Sequence, residues 1–273
     1  MKIFRKVMIF AITKSLIAKA LLIIATIAIT IAWLNYTPSG LLGKMDAIGY
    51  AVCHRIDLRS FHLGERTLPL CSRCSGMHLA TLLGLTFQLQ YGKKIKMPPK
   101  KILIVLGLLA AAFALDGLNS YLHFFPNKIW AYEPHNWLRL LTGSGLGLCI
   151  SLVLYPIINQ TLWNNWEDGA AVSNWKTFAL LFFLIGLLDL AILSENPMVL
   201  YPLAILSGLA VLFVLTLCYS LLISMLIKKE NTYPSWKAAW VPIMTGFAIA
   251  IFQTYVIDIL RFTFTGTWGG FIF

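Results

Sequence analysis

The sequence predicts an all-α integral membrane protein with about seven transmembrane helices. Of its 273 residues, 59% are hydrophobic and only 12% are charged, and the mean hydropathy is +0.77. A water-soluble core cannot bury so much apolar surface, since soluble domains contain about 25% charged residues. The same values exclude a disordered chain and a soluble nucleic-acid-binding domain, so no nucleic-acid partner is expected.

Apolar segments of about 20 residues recur along the chain, and a helix of that length crosses a hydrocarbon core of about 30 Å. Helices are expected because an open sheet would leave backbone groups unsatisfied in lipid. The seven predicted spans cover residues 15–35, 74–91, 102–122, 138–158, 176–193, 199–227 and 238–262. The first is interpreted as a retained membrane anchor, because no small-x-small cleavage site follows Trp33. Gly143 and Gly147 form a G-x-x-x-G motif that predicts close helix packing.

These spans divide the chain into four predicted parts. They are an N-terminal membrane anchor (1–36), an extracytoplasmic Cys/His loop (37–73), helices two to four (74–160) and helices five to seven (161–273). The loop is too long for a plain connector. Apolar residues recur at helical spacing from Leu42 to Val52, predicting a short interfacial helix that ends at Cys53. Gly64 in the next segment favours a hairpin turn.

The basic residues predict the orientation in the cytoplasmic membrane. With the N-terminus inside, the cytoplasmic segments hold 14 of the 22 Lys and Arg residues. These are Lys2, Arg5, Lys6, Lys14, Lys19, the five lysines between positions 93 and 101, Lys176, Lys228, Lys229 and Lys237. The other eight are Lys44, Lys128, Arg55, Arg59, Arg66, Arg73, Arg139 and Arg261. The Cys/His loop and the C-terminus are then extracytoplasmic.

The outer basic residues are mainly arginines, whose planar guanidinium suits carboxylate or phosphate. They therefore suggest a lipid or another anionic small molecule as ligand. The alternative is that they pair with outer acids such as Asp57, Glu65 and Glu133, because exposed ion pairs are common.

Three cysteines and a histidine form a candidate metal site. Cys53 and His54 are adjacent, and sixteen residues separate them from the C-x2-C pair Cys71 and Cys74. Such a pair holds two thiolates at one ion, and a distant Cys or His completes a tetrahedron. The predicted zinc ligands are Cys53, His54, Cys71 and Cys74, with His78 or water as the alternative to His54.

The same cysteines also allow a redox function. An extracytoplasmic location permits disulfides, and a helix N-terminus lowers the pKa of a thiol. The protein would then be a membrane thiol-disulfide oxidoreductase with a quinone as electron acceptor. A purely structural disulfide is less favoured because it leaves an odd cysteine. Cys149 and Cys218 lie within predicted spans and are interpreted as core residues.

Ionisable residues at membrane depth need a partner or a function. Asp116 and Arg139 lie on either side of a short connection, so we predict that they form an ion pair. For an enzyme, the predicted catalytic bases are His54 and Asp116. The predicted ligand-binding residues are Arg59, Arg73, Asn136 and Arg139. The non-catalytic alternative is a membrane subunit or assembly factor in which a metal clip stabilises a surface for other membrane subunits.

Two motifs together resemble a known family. The first is Cys53-His54, Arg59-Ser60-Phe61, Gly64 and Pro69-Leu70-Cys71-x-Arg73-Cys74-x-Gly76, and the second is Asp116-Gly117 with Asn119, then Asn136-x-Leu138-Arg139-x-x-Thr142-Gly143. Over about residues 50–148 they resemble the predicted membrane proteins grouped as domain of unknown function 2085. The resemblance implies no reaction. It implies that the Cys/His loop and the group of Asp116, Asn136 and Arg139 belong to one unit.

Overall fold

A computed structural model describes residues 16–125 and 131–271, and these are mostly helical. The helices in the described ranges are α1 (Leu16–Tyr36), α2 (Leu41–Val52), α3 (Ser72–Gln88), α4 (Lys100–Leu122), α5 (Asn136–Leu162), α6 (Trp175–Leu193), α7 (Pro197–Leu226) and α8 (Trp240–Thr265). A hairpin pairs β1 (His62–Leu63) with β2 (Arg66–Thr67), and 3-10 turns cover Asp57–Arg59 and Leu89–Tyr91. The basic residues Lys2, Arg5, Lys6, Lys14 and Lys128 lie outside the described ranges.

Six helices, namely α1, α4, α5, α6, α7 and α8, are long and apolar enough to cross a membrane. They coincide with six of the predicted spans, which confirms a membrane protein with several transmembrane helices. The predicted span at 74–91 is also helical, but α3 has 17 residues and is not among the six. The seventh crossing therefore stays a prediction.

Helices α3 and α5 pack closely and run in the same direction. A Cβ atom added to Gly143 would lie 2.1 Å from the carbonyl oxygen of Arg73, and one added to Gly147 would lie 2.3 Å from that of Met77. Farther along both helices, the Gln88 side chain donates to the carbonyl of Ser151 at 3.0 Å. The predicted close packing at the G-x-x-x-G motif is confirmed, and it brings the first turn of α3 against α5.

The segment between α1 and α3 is folded as expected, but it is more buried than an interfacial loop. Helix α2 ends at Val52 with Cys53 as its C-cap, and Gly64 at φ 65° forms the turn of the hairpin. Six consecutive residues of α2, from Met45 to Tyr50, are buried, and Met45 packs against Gly208 of α7. The segment is thus held between helices. We call the end of the helix bundle that contains Cys53, Cys71 and Cys74 the cysteine end.

Acidic residues inside the helices have polar partners. Asp189 of α6 accepts a hydrogen bond from the Ser144 hydroxyl at 2.6 Å, and Asp258 of α8 accepts one from the indole of Trp33 at 2.9 Å. Such bonds offset part of the cost of burying a carboxyl group, and they tie α5 to α6 and α1 to α8.

Candidate functional site

Three cysteines meet at the cysteine end. Cys53 ends α2, Cys71 is the N-cap residue of α3, and Cys74 lies in the first turn of α3. Their sulfur atoms lie within 4.8 Å of one another. The backbone amide of Cys71 also donates a 3.4 Å hydrogen bond to the sulfur of Cys53. The spacing of the C-x2-C pair and the intervening loop therefore bring together three of the four predicted metal ligands.

The three thiols interact closely and differ in their pKa values. Interactions with the side chains of Cys71 and Cys74 lower the pKa of Cys53 well below its usual value. The interaction with Cys53 and burial raise the pKa of Cys71 to about 12. Deprotonation of all three thiols would place like charges close together, so it needs a nearby cation to stabilise them.

Among the described residues, the ring nitrogens of His54 and His78 are not in the group of ligand atoms that lie within 4.8 Å of one another. The Nδ1 atom of His54 accepts a 3.2 Å hydrogen bond from the backbone amide of Ile56. The His54 ring is half-buried, and burial is the main cause that lowers its pKa. It interacts electrostatically with Cys53 and with three arginines. Its predicted roles as ligand and as base stay predictions.

Arg261 of α8 fixes the end of α2. Its guanidinium donates hydrogen bonds to the carbonyl oxygens of Tyr50, Cys53 and His54, the last two at 2.6 and 3.2 Å. A cation at the C-terminus of a helix is stabilised by the helix dipole. The amide of Phe271 also donates to the carbonyl of His54 at 3.0 Å. The last helix and the segment after it therefore position Cys53.

A second group lies beside the cysteines, and we call Arg59, Arg73 and Arg139 the arginine cluster. All three donate to Ser120, a fully buried residue near the end of α4. Arg59 donates to its carbonyl oxygen at 2.8 Å, and Arg73 and Arg139 donate to its hydroxyl at 3.1 and 3.5 Å. Burial, together with the charges of Arg139 and Arg73, lowers the pKa of Arg59 to about 10. The cluster therefore concentrates positive charge in a buried place.

Asp116 pairs with Arg73, so the predicted pair between Asp116 and Arg139 is wrong. The Asp116 carboxylate accepts from Arg73, from the Thr142 hydroxyl at 3.2 Å and from the Tyr132 hydroxyl at 2.9 Å. Arg139 instead donates to the Asn136 side chain at 2.8 Å. The missing side chain at Gly143 lets the first turn of α3 approach α5, which puts Arg73 next to Asp116.

The outer acids that the sequence suggested as partners do not neutralise the arginine cluster. Asp57 is bonded to His62 at 3.1 Å. Arg55 and Arg66 pair with Asp46 of α2, which sequence inspection did not single out. Among the ion pairs of the described residues, none joins Arg59 or Arg139 to a carboxylate.

Part of the chain is similar to known proteins. Residues 53–153 match the model of a family described as predicted membrane protein, DUF2085, which confirms the resemblance. An uncharacterized protein of Methanocaldococcus jannaschii is 26% identical over 124 residues, 44% of this chain and 72% of that protein. An uncharacterized protein of Methanothermobacter thermautotrophicus is 29% identical over 101 residues, 36% of this chain and 82% of that protein. No solved structure matches. The matched stretch begins at Cys53 and includes all the predicted site residues.

Proposed function

We propose that this protein binds one zinc ion through the thiolates of Cys53, Cys71 and Cys74. The observation that carries this proposal is the approach of the three sulfurs to within 4.8 Å of one another. Around tetrahedral zinc, with Zn–S distances of about 2.3 Å, sulfurs lie roughly 3.8 Å apart, so a small contraction suffices. The fourth position would be taken by His54, by His78 or by an external ligand.

The charges around the cysteines support a metal rather than a disulfide. Arg59 and Arg139 interact electrostatically with Cys71. Zinc bound to three thiolates carries one net negative charge, which these arginines stabilise. A disulfide is uncharged and would leave the arginines without that compensation. Thiol oxidation coupled to a quinone is therefore the second candidate function.

The arginine cluster suggests that the zinc site also receives an anionic or lipid-like ligand. Zinc with three protein ligands keeps a position for water or substrate and lowers the pKa of a bound water to about 7. In such a site His54 is the candidate base, because it is adjacent to Cys53 and interacts with all three arginines. Asp116, with both carboxylate oxygens already hydrogen-bonded, would mainly hold Arg73 in place. A fourth protein ligand would instead close the site and make it a structural clip.

We also propose that α3 crosses the membrane, giving seven crossings with the cysteine end outside. Helix α3 continues into the turn Leu89–Tyr91, and 20 helical residues extend about 30 Å. At the far end, the Tyr155 hydroxyl of α5 donates to the carbonyl of Gly92 at 2.7 Å. Helix α3 thus accompanies α5, a candidate span, over most of its length. Seven crossings also agree with the 14 basic residues on the cytoplasmic side.

The proposed sidedness predicts a labelling pattern. A cysteine introduced by Glu65→Cys, in the exposed hairpin turn, should react with a membrane-impermeant maleimide in intact cells. One introduced by Lys96→Cys, whose native side chain is 62% exposed, should react only after permeabilisation. The wild type provides the background, since its five native cysteines are buried or half-buried. Labelling of Lys96→Cys in intact cells would show that the orientation is opposite to the proposed one.

Metal analysis combined with a thiol count tests the zinc proposal. Protein purified in detergent without chelator should contain about one zinc per chain, since the three sulfurs form one site. After denaturation with chelator and without reductant, all five cysteines should titrate as free thiols. Three free thiols and no metal would instead indicate a disulfide, and the redox function would replace the zinc proposal.

A further inference from the structure

The arginine cluster has more positive charge than its surroundings neutralise. Arg59 and Arg139 are only 8% and 5% exposed. Within the described ranges, Asp116 is the one carboxylate bonded to the cluster, and Arg73, Thr142 and Tyr132 use both its oxygens. Three guanidiniums therefore face one carboxylate, which leaves two positive charges in excess. Buried like charges repel one another, so this arrangement calls for an anion.

The backbone adds to this positive potential. Helices α3 and α5 both begin at the cluster, and neither has an acidic residue in its first turn or a side-chain cap. Arg73 and Arg139 lie in those first turns, where the helix dipole disfavours cations and favours anions. Two arginines at two positive helix ends are costly unless a negative group lies between them.

The guanidiniums also keep unused hydrogen-bond donors. In the described part of the chain, Arg59 donates one hydrogen bond, from Nη2, and stacks on the ring of Phe124 at 3.7 Å. Arg139 donates from Nε and Nη1 only. The Nε atom of Arg73 is a buried donor without a partner among the described residues. Each guanidinium has five N–H groups, so all three retain donors for a ligand.

We propose that Arg59, Arg73 and Arg139 bind a phosphate group beside the zinc site. A carboxylate offers two oxygens and one charge, whereas a phosphate offers three or four oxygens and one to two charges, and guanidinium forks match its geometry. With the zinc centre at minus one, a phosphodiester would neutralise the remaining charge, and a phosphate monoester would do so without the metal. This inference deepens the proposed function and rests on it for the side of the membrane from which the ligand enters.

Binding can be measured on the full chain, purified without chelator and kept in a non-ionic detergent. The probes are inorganic phosphate, a short-chain phosphatidic acid and a short-chain phosphatidylglycerol, with chloride at equal ionic strength as the reference. We expect a saturable rise in melting temperature with at least one phosphate probe. Response to inorganic phosphate would identify a soluble ligand, and response only to the lipids would identify a headgroup.

Conservative variants show whether the cluster is the binding site. Arg59→Lys and Arg139→Lys keep the charge but lose the planar fork, so each should weaken phosphate affinity tenfold or more. Arg66→Lys is the matched control, because Arg66 lies in the exposed hairpin and pairs with Asp46 of α2, so this variant should keep wild-type affinity. If one lysine variant does not fold, the other provides the test.

The outcomes separate this inference from the zinc proposal. Absence of saturable binding by all three probes, or equal affinities in Arg59→Lys, Arg139→Lys and Arg66→Lys, would overturn the phosphate site. Zinc content is measured in parallel for every variant. A wild type without zinc whose phosphate binding still depends on Arg59 and Arg139 would refute the metal and keep the phosphate site.

Discussion

Cys71→Ser should release the zinc and destabilise the protein at the same time. Cys71 is 3% exposed and is the N-cap residue of α3, and its sulfur is one of the three that lie together. Ligation free energy, about 10–16 kcal/mol for structural zinc in small peptides, contributes to the folding free energy of the segment that supplies the ligands. Serine is itself a favourable N-cap residue, so the start of α3 is preserved. We expect less than about 0.1 zinc per chain and a melting temperature lowered by roughly 10 °C or more.

Cys149→Ser is the matched control for this variant. Cys149 lies in α5, away from the other cysteines, and its thiol donates to the carbonyl of Leu106 at 3.1 Å. A serine hydroxyl can form the same bond, so zinc content should be unchanged. A Cys71→Ser protein that retains wild-type zinc would contradict the assignment of Cys71. A stable variant that has merely lost thiol exchange would indicate a redox centre.

Asp116→Ala should be strongly destabilising because it leaves Arg73 half-buried without its ion-pair partner. Breaking a buried ion pair costs about 3–5 kcal/mol, whereas replacing both partners can be nearly neutral. The double variant Asp116→Ala with Arg73→Leu should therefore be more stable than Asp116→Ala alone. A double-mutant cycle of unfolding free energies in detergent measures this coupling.

A second double-mutant cycle, which pairs Asp116 with Arg139 instead of Arg73, is the matched control. Asp116→Ala with Arg139→Leu removes the same charge, but Arg139 is bonded to Asn136 and Ser120 rather than to Asp116. Its coupling energy should be clearly smaller than that of the Arg73 cycle. Equal couplings, or purely additive losses in both cycles, would contradict the ion pair between Asp116 and Arg73.

Much of the fold could be predicted because membrane spans are local features. A 20-residue apolar run, the helix ending at Cys53 and the turn at Gly64 each depend on neighbours in sequence. The grouping of the three sulfurs was also accessible, since a C-x2-C pair brings two of them together by itself. The length of α3 was harder to predict because its apolar run merges with a 3-10 turn.

The contacts that organise the site depend on packing between distant segments. Asp116 is closer in sequence to Arg139 than to Arg73, yet Gly143 allows α3 to approach and Arg73 becomes the partner. The role of Ser120 as the shared acceptor of the three arginines could not be predicted, because an isolated serine forms no recognisable sequence motif. Arg261 binds backbone carbonyls, which every residue has, so nothing in the sequence identifies Tyr50 or Cys53 as its partners.

The bonds from Arg261 also set an order of events during biosynthesis. Arg261 follows Cys53 by 208 residues, which a ribosome adds in roughly 10–40 s at about 5–20 residues per second. During that time the end of α2 has no capping cation, and the three thiols have emerged before the helix that later holds them. Under the proposed topology and zinc site, zinc and oxidants can both reach these thiols in that interval, before Arg261 binds the end of α2.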